Sequence, residues 1–222
     1  MYRKIIIPFI FIIALINPFK CFSQVVKIKN GITFSKMTGS SFDILNKNTT
    51  LYTGFIGLDY FEHDYFYLSS EIGYMKKGGK EYIPLSEPEI EHPIWNLANR
   101  DIKANLDYLQ LNTTFRAKYP LGSIHVFAGI GPKIDILLHS KFNYENASLD
   151  ELGTYNLNDN IKPISFGLKP EIGFYYDISR FRIEGNLAYL INFGRLDDIK
   201  GNYNKVGNQS ISVLLSFGYR LR

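Results

Sequence analysis

The sequence predicts an all-β fold, an eight-stranded antiparallel up-and-down transmembrane β-barrel. Three observations predict it. From Ile124 to Leu138 every second residue is apolar, and the residues between them include His125, Gly129, Gly131, Lys133 and Asp135. Seven other segments alternate in the same way, and the connections between segments are by turns tight and long. Successive side chains of a strand point to opposite faces, so each segment is a strand with one apolar face. The Ile124 to Leu138 run far exceeds the usual strand of about 5–6 residues. It suits a tilted bilayer crossing, which takes about 9–11.

The elements follow in order. Residues 1–23 read as a secretory signal peptide. Arg3 and Lys4 are its positive start, Ile5 to Phe19 its apolar stretch, and Cys21 and Ser23 the small residues before a cut at Gln24. Residues 24–222 are then the barrel domain. The only Cys leaves with the signal, so disulfides, thiol nucleophiles and Cys-based metal sites are excluded from the mature chain. The signal also holds three cations, Arg3, Lys4 and Lys20, and no acid, so the formal net charge falls from +4 to +1. No basic stripe remains for nucleic acid.

Strand one shows Val26, Ile28, Ile32 and Phe34 on its apolar face. Strand two shows Tyr52, Ile56, Leu58 and Tyr60; strand three Phe66, Leu68, Ile72 and Tyr74; strand four Leu109, Leu111, Thr113, Phe115, Ala117 and Tyr119. Strand five is Ile124 to Leu138. Strand six runs from Ile164 to Tyr176, strand seven from Phe181 to Phe193 and strand eight from Ile211 to Leu221. Tight turns are expected at Glu62-His63-Asp64, Pro120-Leu121-Gly122 and Asp177 to Arg180, with long loops at about 38–50, 77–104, 139–160 and 195–208. Short periplasmic turns, long extracellular loops and an even strand number place both termini in the periplasm of an outer-membrane barrel. Tyr60, Phe66, Tyr119, Tyr176, Phe181 and Tyr219 cluster near the turns as an interfacial ring. The aromatic fraction of 15% supplies it. A mean hydropathy of −0.09 is no objection, because alternation dilutes the signal of a membrane barrel.

The apolar faces hold too many large side chains for the interior of eight strands, so they are expected to face lipid. The opposite faces carry Gly57, Gly73, Gly129, Gly131, Gly167, Gly173 and Gly218, which suit a crowded lumen. That lumen is expected to hold Asp59, Glu71, Asp107, Asp135, Glu171 and Glu184 against Arg116, Lys118, Lys133, Lys169, Arg182 and Arg220. Such charges must pair. Glu171 and Glu184 read as members of a salt-bridge network rather than as acid–base catalysts. Pro132 and Pro170 lack donors within strands, and bulges or a carbonyl satisfied from the lumen are expected there. The register also implies that Ile130→Arg is costly, while Lys133 behaves differently.

Glu71-Ile-Gly-Tyr-Met-Lys-Lys-Gly-Gly-Lys80, Tyr108-Leu-Gln-Leu, Ala128-Gly-Ile-Gly-Pro-Lys133, Glu171-Ile-Gly-Phe174 and Phe217-Gly-Tyr-Arg-Leu221 carry a family likeness. On them, residues 25–222 resemble the PorT-like outer-membrane β-barrel family of Gram-negative bacteria. The resemblance implies the fold and the outer-membrane location; an association with secretion belongs to the family's namesake, while most relatives have no assigned activity. Asn112-Thr113 stands where that family usually has Pro, and Leu221-Arg222 closes the chain where barrels commonly end in an aromatic residue.

No catalytic signature is present. The four His (His63, His92, His125, His139) lack ligand spacing, and G-x-S-x-G, P-loop and dinucleotide fingerprints are missing. His125 reads as a hydrogen-bonded lumen residue, and Glu81, Glu87, Glu89 and Glu91 as a solvated loop. The expectation is a monomeric, non-enzymatic barrel without cofactor, metal or catalytic residues. Its partners are the bilayer, the barrel assembly machinery and an envelope or secretion protein met through the loops. The alternatives are an outer-membrane enzyme using His92, His139, Ser140 and nearby acids at the loop end, and a soluble lipocalin-like binding barrel.

Overall fold

The structure, a computed structural model, describes residues 24–38, 45–83, 100–146, 151–156, 161–194 and 207–221. The expected signal peptide and its Cys lie outside them. The described strands are β1 (Val25–Thr38), β2 (Thr49–Tyr60), β3 (Phe66–Ile83), β4 (Arg100–Leu121), β5 (Ile124–Ile130), β6 (Pro132–Asn146), β7 (Glu151–Asn156), β8 (Ile164–Leu168), β9 (Glu171–Ile178), β10 (Phe181–Phe193) and β11 (Gly207–Arg220).

All pairings are antiparallel, and they close. β1 to β4 pair in sequence, β4 pairs with both β5 and β6, these pair with β9 and β8, both of which pair with β10. β10 pairs with β11, and β11 pairs back onto β1. The ring has eight staves, because β5 and β6 form one and β8 and β9 another. At one end the staves join through tight turns at 61–65, 122–123 and 179–180. Gly122 holds the left-handed φ of 64° that its two-residue turn requires. There Leu221 donates to the Gln24 carbonyl at 2.8 Å and closes the last stave onto the first.

The apolar faces point outward. Ile28, Ile56, Ile172, Leu215 and Phe217 are exposed, Leu215 at 69%, while Lys27, Lys29, Arg116 and Glu184 are buried at 0–1%. This inverts the arrangement of a soluble lipocalin-like barrel and excludes that alternative. The aromatic ring forms as expected: Tyr119, Tyr176, Phe181 and Tyr219 are exposed at the turn end.

Three expectations are corrected. First, the described parts of the stretches 77–104 and 139–160 are strand. β3 continues to Ile83 against β4 from Arg100, and β6 continues to Asn146 against β7. In β4 the apolar phase reverses along the way. Leu109 and Leu111 occupy outward positions, but Ile102, Ala104 and Leu106 are buried on the inner side while Asp101 and Lys103 are exposed. The outer face thus turns from apolar to polar between Leu109 and Asp107, which marks the upper edge of the apolar belt.

Second, Pro132 and Pro170 sit at strand breaks, not bulges. β5 and β6 keep one register against β4 across the break, and the pairings β5–β9 and β6–β8 also share one register. Pro132 begins β6, a position where a missing donor is tolerated. Across the break Lys169 donates to the Gly131 carbonyl at 2.9 Å, and Tyr189 donates to the Pro170 carbonyl at 2.9 Å. That carbonyl is satisfied by the neighbouring stave and not from the lumen. Gly131 is required beside Pro132, because a Cβ there would overlap the Thr113 carbonyl oxygen. The bulge lies elsewhere, between Asp107 and Tyr108, which pair with His139 and Leu137 and leave Leu138 over.

Third, Asp107 is not a lumen residue. It shares the outward face of Leu109, beside Lys76 at 4.0 Å.

Candidate functional site: the charge-paired lumen

Because the outward faces are apolar, every lumen-facing position falls on the alternate residues, and these carry the charge. Arg116 of β4 is the hub. Its Nε donates to Glu171 Oε1 at 2.6 Å, Nη1 to Glu184 Oε1 at 3.0 Å and Nη2 to Glu71 Oε1 at 3.1 Å. Three staves are thereby tied to one planar guanidinium, whose fork suits several carboxylates at once. Lys29 bridges Glu71 (2.8 Å) and Glu184 (2.9 Å), and Lys27 bridges Asp59 (2.7 Å) and Glu184 (3.1 Å). Lys169 reaches Glu71 and, at 3.4 Å, Glu171. Buried ions are tolerated only with such dense pairing. Glu171 and Glu184 are thus held on the same cation as structural partners.

Aromatic rings floor this layer. The Arg116 guanidinium lies 4.6 Å from the Phe127 ring centre, and that of Arg182 lies 3.8 Å from the Tyr175 ring centre. His125 stacks on Tyr175 with ring centres 4.7 Å apart and planes 2° apart. Its buried Nδ1 has no hydrogen-bond partner among the described residues, and the stack on Tyr175 is its packing contact. Above the charged layer Phe55, Met75, Leu190 and Leu214 form an apolar plug. Lys77 and Lys133 share the carboxylate of Asp135, which also accepts from Gln110 Nε2 at 2.6 Å.

The turn end is closed by a second cluster. Glu62, in the β2–β3 turn, accepts from Lys118 Nζ (2.8 Å), Arg182 Nη2 (3.0 Å) and Arg220 Nη1 (2.9 Å). Asp177 accepts from Arg182 and Arg220 at 2.8–3.0 Å. Burial alone would raise the Glu62 carboxyl, but Arg182, assisted by Lys118, outweighs it and lowers the pKa to about 2. An unfolded chain would bind a proton there first, so this contribution is full above about pH 5 and is lost as pH falls towards 2. Glu62→Gln is expected to flatten that acid limb, read as urea unfolding midpoints of both proteins across this range. Parallel acid limbs would refute the assignment.

Among the described residues, those considered for an enzyme do not converge on one face. Ser140 is buried on the inner side, its neighbour His139 lies on the outward side beyond the bulge, and His92 lies outside the described residues. No group of three or more metal-ligating side chains gathers among the described residues. Lys27, Lys29 and Lys77 belong to the lumen although sequence reasoning did not place them there. The alternate face of strand one would have found the first two.

No protein-family model matches the chain, and no curated protein matches it. Among solved structures it is similar to Neisserial surface protein A (NspA), at 11% identity over 89% of this chain and 97% of that one, with a TM-score of 0.48. The outer membrane protein OprG from Pseudomonas aeruginosa matches at 11% identity, 90% and 97% coverage and a TM-score of 0.48. Ail, the attachment invasion locus protein of Yersinia pestis, matches at 13% identity, 90% and 100% coverage and a TM-score of 0.41.

Proposed function

We propose that the chain is an integral outer-membrane barrel with a sealed lumen, acting through its hairpin end as a structural or interaction component of the envelope. One observation carries this reading: an outward belt of exposed Ile, Leu, Phe and Tyr surrounds an interior of buried, paired charges. Only a hydrocarbon surrounding makes that inversion favourable, and a closed ring of antiparallel strands pairs its backbone internally as such a surrounding requires. The export signal read in residues 1–23 supports the location, with the turn end periplasmic and the long hairpins extracellular. The PorT-like sequence features support a secretion-associated role with an envelope protein as partner.

The test compares boiled and unboiled samples of the outer-membrane fraction by gel. Faster migration without boiling is expected from a folded barrel. Recovery in the periplasmic fraction without detergent, with no migration difference, would end the reading.

A further inference from the structure

The outward face above the apolar belt carries cations that the lumen network does not use. Rung by rung beyond Tyr74 and Leu109, this face presents Lys76–Asp107–His139, then Gly78–Asn105–Lys141, then Lys80–Lys103–Asn143. Lys76 is neutralised by Asp107 at 4.0 Å. Lys80, Lys103 and Lys141 are exposed and make no ion pair among the described residues. Lys80 and Lys103 stand directly opposite each other, a cross-strand arrangement that destabilises a sheet, and Lys141 lies one rung below beside Asn105. Of the acids on this face, Asp107 lies one rung below Lys141 and is taken by Lys76, and Asp101 lies one rung beyond Lys103. The three lysines surround Gly78 and Asn105 on this face.

Its height selects the partner. At about 3.3 Å per residue and a tilt of about 40°, these rungs stand about 10–15 Å above the Tyr74 level. A phospholipid headgroup layer is only about 5–7 Å deep. Resting on the outer-membrane reading above, we propose that Lys80, Lys103 and Lys141 bind the phosphorylated sugars of an outer-leaflet glycolipid. The acyl chains of that lipid lie along the apolar belt directly below. Phosphate would relieve the Lys80–Lys103 repulsion, and the outward Asn105 amide offers a donor to a phosphate or sugar oxygen.

The experiment uses the full-length folded barrel in zwitterionic detergent, with the gel-migration shift confirming folding for every variant. A fluorescent lipopolysaccharide with phosphorylated core sugars is titrated onto the parent and onto the triple variant K80Q/K103Q/K141Q. Binding is expected to weaken about a hundredfold at low salt, roughly fivefold per lysine. A control pair outside the patch, K162Q/R180Q, is expected to leave binding within about twofold. Phosphatase-treated lipopolysaccharide and phosphatidylglycerol are expected to bind the parent about tenfold or more weakly. Equal binding by parent and triple variant overturns the proposal. So does equal loss per charge in the control pair, phosphatidylglycerol binding as tightly as the glycolipid, or displacement by inorganic phosphate at equal concentration. A missing migration shift in the parent would instead overturn the barrel reading itself.

Discussion

Replacing Arg116 by Met is expected to destabilise the folded barrel by about 3–5 kcal/mol, the usual cost of removing one partner from a buried ion network. The side chain is fully buried and bonds Glu71, Glu171 and Glu184 on three different staves. Without it these carboxylates crowd one another in a space that water does not reach freely, and Lys27, Lys29 and Lys169 cannot neutralise them all at the same geometry. Arg116→Lys keeps the charge but loses the fork, so it should fall between the two. Urea unfolding of the detergent-refolded protein, followed by gel migration, reads the difference. The triple replacement R116M/E171Q/E184Q should recover part of the loss, because it removes the unpaired charges together with their partner. An unchanged midpoint for Arg116→Met would show that the network does not hold the staves.

Ile130→Arg is expected to cost about 2–4 kcal/mol, the penalty for a cation on the lipid face near the midplane of a barrel. Ile130 is exposed at 52% and lies near the middle of the apolar run from Ile124 to Leu138, with outward Val126 and Ala128 on one side and Pro132 and Ile134 on the other. An arginine there is far from either interface. Three residues on, Lys133 faces the lumen and pairs with Asp135 at 2.6 Å, so Lys133→Arg keeps its partner and should fold. Unfolding midpoints measured in vesicles check both. If the two variants lost equal stability, the inside-outside register would be wrong.

Much of this was legible in the sequence, for a physical reason. Wherever lipid touches the barrel, hydrocarbon enforces strict alternation, and period two reveals both faces. Arg116, Glu71, Glu171 and Glu184 could therefore be assigned to the lumen before any coordinates. Beyond the belt the constraint relaxes. Water accepts Lys103 and Asn105 on the outer face, so β3 past Met75 and β4 before Leu109 look like loop, with Gly78-Gly79 strengthening that impression. The phase reversal at Leu106 and Leu109 was the available signal for the membrane edge. Asp107 was misplaced by overlooking that it shares the parity of Leu109. The bulge opposite Tyr108 had no signature of its own, since Leu137 and Leu138 are equally apolar.

The two proline breaks lie side by side on adjacent staves, and this divides the wall into parts that need not open together. Below the seam β5 is bonded to β9; above it β6 is bonded to β8. The bridging bond from Lys169 to Gly131 spans it, with Pro132 and Pro170 supplying no amide hydrogens. Amides above and below can therefore exchange with solvent deuterium as separate cooperative units. The same seam gives the nascent chain a place where the turn-end half of these staves can zip before the hairpin half has found its partners.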